Sequence, residues 1–357
     1  MSEPLDIVIP VFRGEAETRA CLASVLAAAR PGAHEIVVVD DASPEPAIPE
    51  WLRSLAREGR ITLLAHAGNR GFVASVNEAM ALHPARDVIL LNSDTEVAPG
   101  WAERIAAHLA ADPALGTVTP FSNNATLCSY PRTLAANALP PGETTASLDA
   151  AFAAANAGRR VDIPTAVGFC MAIRRACLDR VGPFDAERYG TGYGEEVDFC
   201  MRAARAGFRH ALAGDVFVRH VGEVSFQATG AERRVRAQAL VDQLYPEFQQ
   251  RLADFIPADP PRMLRRRADL QRLRGHAEAV RIGRDGGLTR LDWPHPGEEF
   301  VLWLETARDG PALEQLLAAL RSATLRLPEI EPRWLAKPPV YHAEAPAAPF
   351  SDTNNRP

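Results

Sequence analysis

Val88-Ile89-Leu90-Leu91-Asn92-Ser93-Asp94-Thr95-Glu96-Val97 is the stretch on which the reading of this chain turns. Four consecutive large apolar residues with no polar alternation describe a strand buried on both faces. The run stops at Asn92, Ser93 and Asp94, so a carboxylate stands just past the strand's carboxyl end. Ligands of open α/β sheets bind at that edge. Mg2+ or Mn2+ takes oxygen ligands, and one or two carboxylates hold it against substrate phosphates. A cap on the following helix explains Asp94 equally well from this stretch alone.

Outward from it the pattern repeats. Ile7-Val8-Ile9 reads as a strand ending at Pro10, Glu35 to Val39 as a second ending at Asp40-Asp41, and Ile61 to Leu64 as a third. Helical patterns run over 15–29, 72–82 and 100–111. Apolar strands alternating with helices predict an α/β fold with a parallel sheet covered on both faces. Residues 166–174 read as a further buried strand, 195–206 as a helix, Val216 to Val218 as a strand ending at His220, and 228–254 as helical. Between 120 and 165, Pro120, Pro131, Pro140 and Pro141 predict a long loop beside the site, with a helix near 147–157.

Composition narrows the function. The 357 residues are 47% hydrophobic and 24% charged, which suits a folded core and excludes a disordered chain. The net charge of −6 excludes a generic nucleic-acid binder. Lys337 is the only lysine; the basic residues are otherwise arginine. Five cysteines with no CxxC pair predict a reducing compartment. The first residues are acidic with no apolar signal core, and no run reaches a membrane span. The expected location is cytoplasmic, with peripheral contact at the inner membrane face as an option.

Four more segments carry chemistry. Val39-Asp40-Asp41-Ala42-Ser43 sets two acids at a strand end, suited to a ribose hydroxyl or a base N–H, or to a turn. Gly68-Asn69-Arg70-Gly71-Phe72 lets backbone approach a ligand and opens a helix whose amino end favours an anion. Gly192-Tyr193-Gly194-Glu195-Glu196-Val197-Asp198 begins another helix with three carboxylates, as caps or as a general base. Arg219-His220 ends a late strand, where an imidazole either packs or completes a metal site. No GxGxxG follows the first strand, which weakens a dinucleotide-binding reading.

The order of these segments, from Pro10-Val11-Phe12 to His220, resembles the inverting family 2 glycosyltransferases of the GT-A fold over about residues 5–225. The resemblance implies a Rossmann-like mixed, mostly parallel sheet flanked by helices, with a small C-terminal extension. It implies a metal-dependent enzyme, using Mg2+ or Mn2+, that moves a sugar from a nucleoside-diphosphate sugar to an acceptor hydroxyl. The acceptor is then a saccharide or lipid-linked molecule, in cell-surface polysaccharide or glycoconjugate synthesis. Pro10, Val11, Phe12, Asp40, Asp41, Asn69, Gly71, Phe72, Asn92 and Ser93 fall on nucleotide-sugar positions. Asp94 and His220 fall on the metal, and Glu196 on the catalytic base, with Glu195 and Asp198 as alternatives. Asn92 replaces the first acid of the strict DxD motif, and Glu196 replaces the usual Asp. An inverting transfer needs no covalent intermediate, so no nucleophilic cysteine is expected. A nucleotidyltransferase and a non-catalytic sugar-nucleotide-binding module are the alternatives.

The chain divides on this reading into a catalytic domain over 1–225, a helical extension and linker over 226–262, a small α/β region over 263–327 and a Pro/Ala-rich disordered tail over 328–357. The arginine-rich stretch 262–274 reads as a solvated connecting helix or as a surface for anionic lipid. Residues 280–305 read as two short strands and 311–321 as a helix.

Overall fold

The computed structural model describes residues 5–140, 142–190, 192–222, 230–273, 281–285, 288–295 and 298–321. The expected tail over 328–357 lies outside them. Four apolar runs form the parallel half of the sheet: β1 (Leu5–Val11), β2 (His34–Asp40), β3 (Thr62–Ala65) and β4 (Val88–Leu91). Helices α1 (Glu15–Ala28), α2 (Ala47–Arg57) and α3 (Phe72–Met80) connect them. Then come β5 (Thr95–Glu96), α4 (Trp101–Ala111), β6 (Leu115–Phe121), α5 (Thr145–Asn156), β7 (Arg160–Asp162) and β8 (Cys170–Ile173). Helices α6 (Arg175–Val181), α7 (Ala186–Tyr189) and α8 (Glu195–Arg205) precede β9 (Arg209–Phe217) and β10 (Arg219–His220).

The eight-stranded sheet has the order β3-β2-β1-β4-β8-β6-β9-β7. It is mixed: β8 runs against both β4 and β6, and β7 runs against β9. β5 and β10 form a separate two-stranded ribbon. Period-two alternation assigns side chains to two cores. Ile7, Ile9, Ile36, Val38, Ile89 and Leu91 face one cluster, and Val8, Val37, Val39, Val88 and Leu90 the other.

Phe152 of α5 is fully buried, with ring centroids 4.8 Å from Phe121, 5.0 Å from Tyr130 and 5.6 Å from Phe217. Phe152→Ala leaves a cavity in a close-packed cluster. The expected loss is about 3–5 kcal/mol, read as a lower urea midpoint at unchanged slope.

Several elements differ from the sequence reading. β6 runs through Pro120, which the sequence placed in a loop; the β6–β9 register shifts at that residue, where a missing N–H is tolerated. β9 is a nine-residue strand, and His220 belongs to the separate β10. The helix expected over 228–254 is two, α9 (Gly230–Leu244) and α10 (Pro246–Ala258), because Pro246 has no N–H to continue the first and suits the first turn of the second.

After the proline-rich segment 257–261 the chain returns to the main core. Helix α11 (Arg262–Leu273) packs on α5, and its Leu264 and Ala268 enter the main core. Asn156 Nδ2 donates to Leu264 O at 3.0 Å. Arg265 and Arg266 are buried and paired with Asp259 and Asp269, and Arg272 reaches Glu143 at 2.8 Å. Of the arginines read as a solvated or lipid-facing stripe, Arg265, Arg266 and Arg272 are turned inward as ion pairs, Arg262 and Arg267 are half-buried, and Arg274 lies outside the described residues. Further on, β11 (Arg281–Asp285), β12 (Leu288–His295) and β13 (Glu298–Glu305) form an antiparallel sheet followed by α12 (Thr306–Arg321), three strands where two were expected. No helix among the described residues is long and apolar enough to cross a membrane.

Candidate active site

Four parallel strands deliver Val11, Asp40, Ala65 and Leu91 to one edge of the sheet, and the residues after them face each other there. The antiparallel β8 starts at the same edge, since Cys170 pairs with Leu91. Phe169 O accepts the Asn92 N–H at 2.9 Å.

Asp94 is buried and meets the ribbon strand β10. Its main-chain carbonyl accepts the Val221 N–H at 3.0 Å, and its Oδ2 accepts the Gly222 N–H at 2.8 Å. Its Oδ1 lies 3.4 Å from His220 Nε2. The imidazole stacks on Phe169, with centroids 5.3 Å apart, and its Nδ1 lies 2.7 Å from Asn124 O. A carbonyl only accepts, so Nδ1 carries the hydrogen and the Nε2 lone pair of the neutral ring faces the carboxylate. Burial works to raise the Asp94 carboxyl, but the hydrogen bond and charge of His220 and the Gly222 N–H hold it below the usual carboxylate range. Burial likewise works to lower His220, and Asp94 reverses that, so the imidazole is raised. A lone pair opposed to a carboxylate oxygen is satisfied by a proton or by a metal cation. The donor set of one carboxylate and one imidazole fits a divalent ion that completes its shell with substrate oxygens.

The two aspartates after β2 differ. Asp41 Oδ1 accepts the Arg70 N–H at 2.7 Å and lies 2.8 Å from His66 Nδ1, while Oδ2 accepts the Gly71 N–H at 2.8 Å. The amino end of α3 therefore does hold an anion, and the anion is the chain's own Asp41 carboxylate. Gly71, at φ 86°, supplies the backbone turn this requires. Asp40 Oδ1 accepts only the Ser43 N–H in its own turn, at 2.9 Å. Asp41→Ala leaves the buried Gly71 N–H without its acceptor, at a cost of about 1–3 kcal/mol, so a stability loss of that size is expected on chemical denaturation. Unchanged stability with weaker nucleotide binding alone would instead place Asp41 on the ligand.

Helix α8 ends beside the start of β9, and His210 Nε2 lies 2.9 Å from Cys200 O. Ala166, in the loop before β8, donates its N–H to Cys200 Sγ at 3.3 Å. Glu195 and Glu196 stand in the first turn of α8, at the end of the helix away from β9. The three acids have different surroundings. Asp198 Oδ1 accepts from Tyr245 OH at 2.6 Å and Oδ2 from Arg202 Nε at 2.8 Å, so its carboxylate ties α8 to the α9–α10 junction. Glu195 and Glu196 each keep one buried oxygen without a protein partner. Burial and the neighbouring Glu196 charge raise Glu195 well above the usual glutamate range, and burial raises Glu196 as well. Glu195 is the more buried of the two and is raised the further, which leaves Glu196 the readier proton acceptor.

Of the remaining candidates, Val11 and Ser93 are buried, Pro10, Phe12, Phe72 and Asn92 are half-buried, and Asn69 is exposed. The five cysteines are free and buried, and burial pushes Cys21, beneath Asn92 and Thr95, up to about 12. Sequence reading assigned no role to Asn123, Asn124 or Phe169, which hold His220; no local pattern marks them. A three-donor cluster of Asp6, Glu35 and His83 lies at the opposite edge, where Arg86 already supplies its positive charge.

Residues 6–182 match the model described as Glycosyl transferase family 2. The uncharacterized protein y4gI of Sinorhizobium fredii is 25% identical over 278 residues, 74% of this chain. The chain spans only 30% of the length of that relative. The crystal structure of GalNAc-T7 with UDP, GalNAc and Mn2+ aligns with 85% of this chain and 67% of its own, at TM-score 0.52 and 16% identity. The mannosyltransferase PcManGT from Pyrobaculum calidifontis, in complex with GDP-Man and Mn2+, aligns with 75% and 72%, at TM-score 0.49 and 18% identity. The mixed, mostly parallel sheet, together with the family match, places residues 6–182 of this chain in glycosyl transferase family 2, on a GT-A fold.

Proposed function

We propose that this chain is a metal-dependent inverting glycosyltransferase that moves a sugar from a nucleoside-diphosphate donor to an acceptor hydroxyl. The observation that carries the reading is the pairing of Asp94 with His220 just past the carboxyl end of β4, in a chain whose helix α8 opens with Glu195 and Glu196. Bound between Asp94 and His220, Mg2+ or Mn2+ would supply Lewis-acid neutralisation of the departing diphosphate. Asp40, with Oδ1 held by Ser43, offers its other oxygen to the ribose or base. Glu196 accepts the proton of the acceptor hydroxyl as that oxygen bonds to the anomeric carbon. The bond from that carbon to the diphosphate breaks, and its electron pair leaves with the diphosphate. Attack and departure on opposite sides of one carbon invert it without a covalent intermediate. The resemblance supports a saccharide or lipid-linked acceptor in surface polysaccharide or glycoconjugate synthesis. It also supports a catalytic unit over 1–225, to which the packing of α11 on α5 adds 262–273.

The test is hydrolysis and binding across a panel of UDP-, dTDP- and GDP-sugars, with Mn2+, with Mg2+ and with chelator. Metal-dependent turnover of one donor is expected. Tight binding without turnover for any acceptor supports a binding module, and binding of none sinks the reading.

A further inference from the structure

His220 is held by a side chain that behaves as a strand. In an antiparallel ribbon, successive residues direct their backbone groups to opposite sides. Val221 donates to Asp94 O, on the β5 side, so His220 presents its N–H and C=O to the other side. Asn123 stands there, 97 positions earlier in the chain. Its Oδ1 accepts the His220 N–H at 2.8 Å, and its Nδ2 donates to His220 O at 3.0 Å. The amide takes the place of a peptide unit in a third strand. Asn123 is itself fixed: Nδ2 also donates to Asn137 O at 3.0 Å, and the Asn137 N–H and Nδ2 both donate to Asn123 O, at 2.9 and 3.1 Å. Both asparagines are buried. The next residue, Asn124, supplies the carbonyl that takes the His220 Nδ1 hydrogen. A Cβ at Gly222 would lie 2.2 Å from Asn124 Nδ2, so the main chain closes directly on this segment.

We propose that Asn123, locked by Asn137, is a positioning residue that holds His220 with Nε2 aimed at the Asp94 carboxylate, so that the pair is preorganised for a divalent cation. The proposal rests on the reading of Asp94 and His220 as cation ligands. Outer partners that orient a ligating imidazole contribute about 10–100-fold to metal affinity.

The experiment measures Mn2+ binding to the full chain, alone and with UDP or GDP, by electron paramagnetic resonance, together with the nitrogen modulation an imidazole ligand imposes on bound Mn2+. Wild type is expected to show that modulation, and His220→Ala to lose it. Asn123→Ala is expected to bind Mn2+ about 10–100-fold more weakly, with the modulation diminished. Asn123→Asp keeps the size and the acceptor for the His220 N–H but loses the donor to His220 O and Asn137 O; it tests the clamp if the alanine variant fails to fold, and it too is expected to weaken binding. A folded Asn123 variant with wild-type affinity and modulation, while His220→Ala loses both, overturns the clamp and leaves the cation reading standing. Wild-type binding by both Asp94→Ala and His220→Ala removes the cation reading and the clamp with it.

Discussion

Asp94→Ala is expected to lower metal-dependent donor turnover by at least about 10³-fold and to abolish the metal requirement of donor binding. The residue is buried, and its carboxylate is the negative charge that faces the His220 lone pair. A cation on a departing diphosphate supplies several kcal/mol, and about 4 kcal/mol corresponds to roughly 10³-fold in rate. Asp94→Asn is the sharper variant, because its amide oxygen still accepts the Gly222 N–H while the charge is gone. It should fold with a near-normal melting temperature and lose turnover almost as fully. Turnover with chelator present and with Mn2+, alongside titration of Mn2+ into protein with UDP or GDP, reads both effects. An Asp94→Asn enzyme with wild-type metal dependence would remove Asp94 from the metal.

Glu196→Gln is expected to lower kcat by about 10²–10⁴-fold, the usual contribution of a positioned general base, with little change in donor KM. The pH profile gives an independent check. Burial raises the Glu196 pKa, and the base acts only when deprotonated, so kcat/KM rises with pH through that raised value. The acid limb of the wild-type profile is therefore expected above 4.5, the ordinary glutamate value, and the Gln variant should lack it. Glu195→Gln separates the neighbours: it leaves the Glu196 carboxylate in place, so most activity should survive. A large loss in Glu195→Gln with little in Glu196→Gln reverses their roles. Asp198→Asn should act mainly on stability, because that carboxylate serves Arg202 and Tyr245.

The legible parts of the fold were those whose signal is local. β1, β2 and β4 are short runs of Val, Ile and Leu between turn residues, and the side chains of one run suffice to predict burial on both faces. β6 escaped because Gly116 and Pro120 interrupt its apolar pattern, and it is a strand by virtue of neighbours on both sides. Arg265, Arg266 and Arg272 of α11 are a related case. Charge in sequence suggests solvent, but its partners Asp259, Asp269 and Glu143 neutralise it inside the fold.

By itself the sequence determined that buried strands end in polar residues at one edge, and in which order those residues come. Both are properties of short segments, set by apolar runs and by the residues that stop them. Tertiary structure alone decided which donors reach each carboxylate. Asp41 meets the Arg70 and Gly71 N–H groups and His66, and Asp198 meets Tyr245, 47 positions away. Glu195 and Glu196, with the same sequence signature as Asp198, keep an oxygen without a protein partner. An acid's role depends on which donors reach it, and here several of those donors arrive from distant parts of the chain.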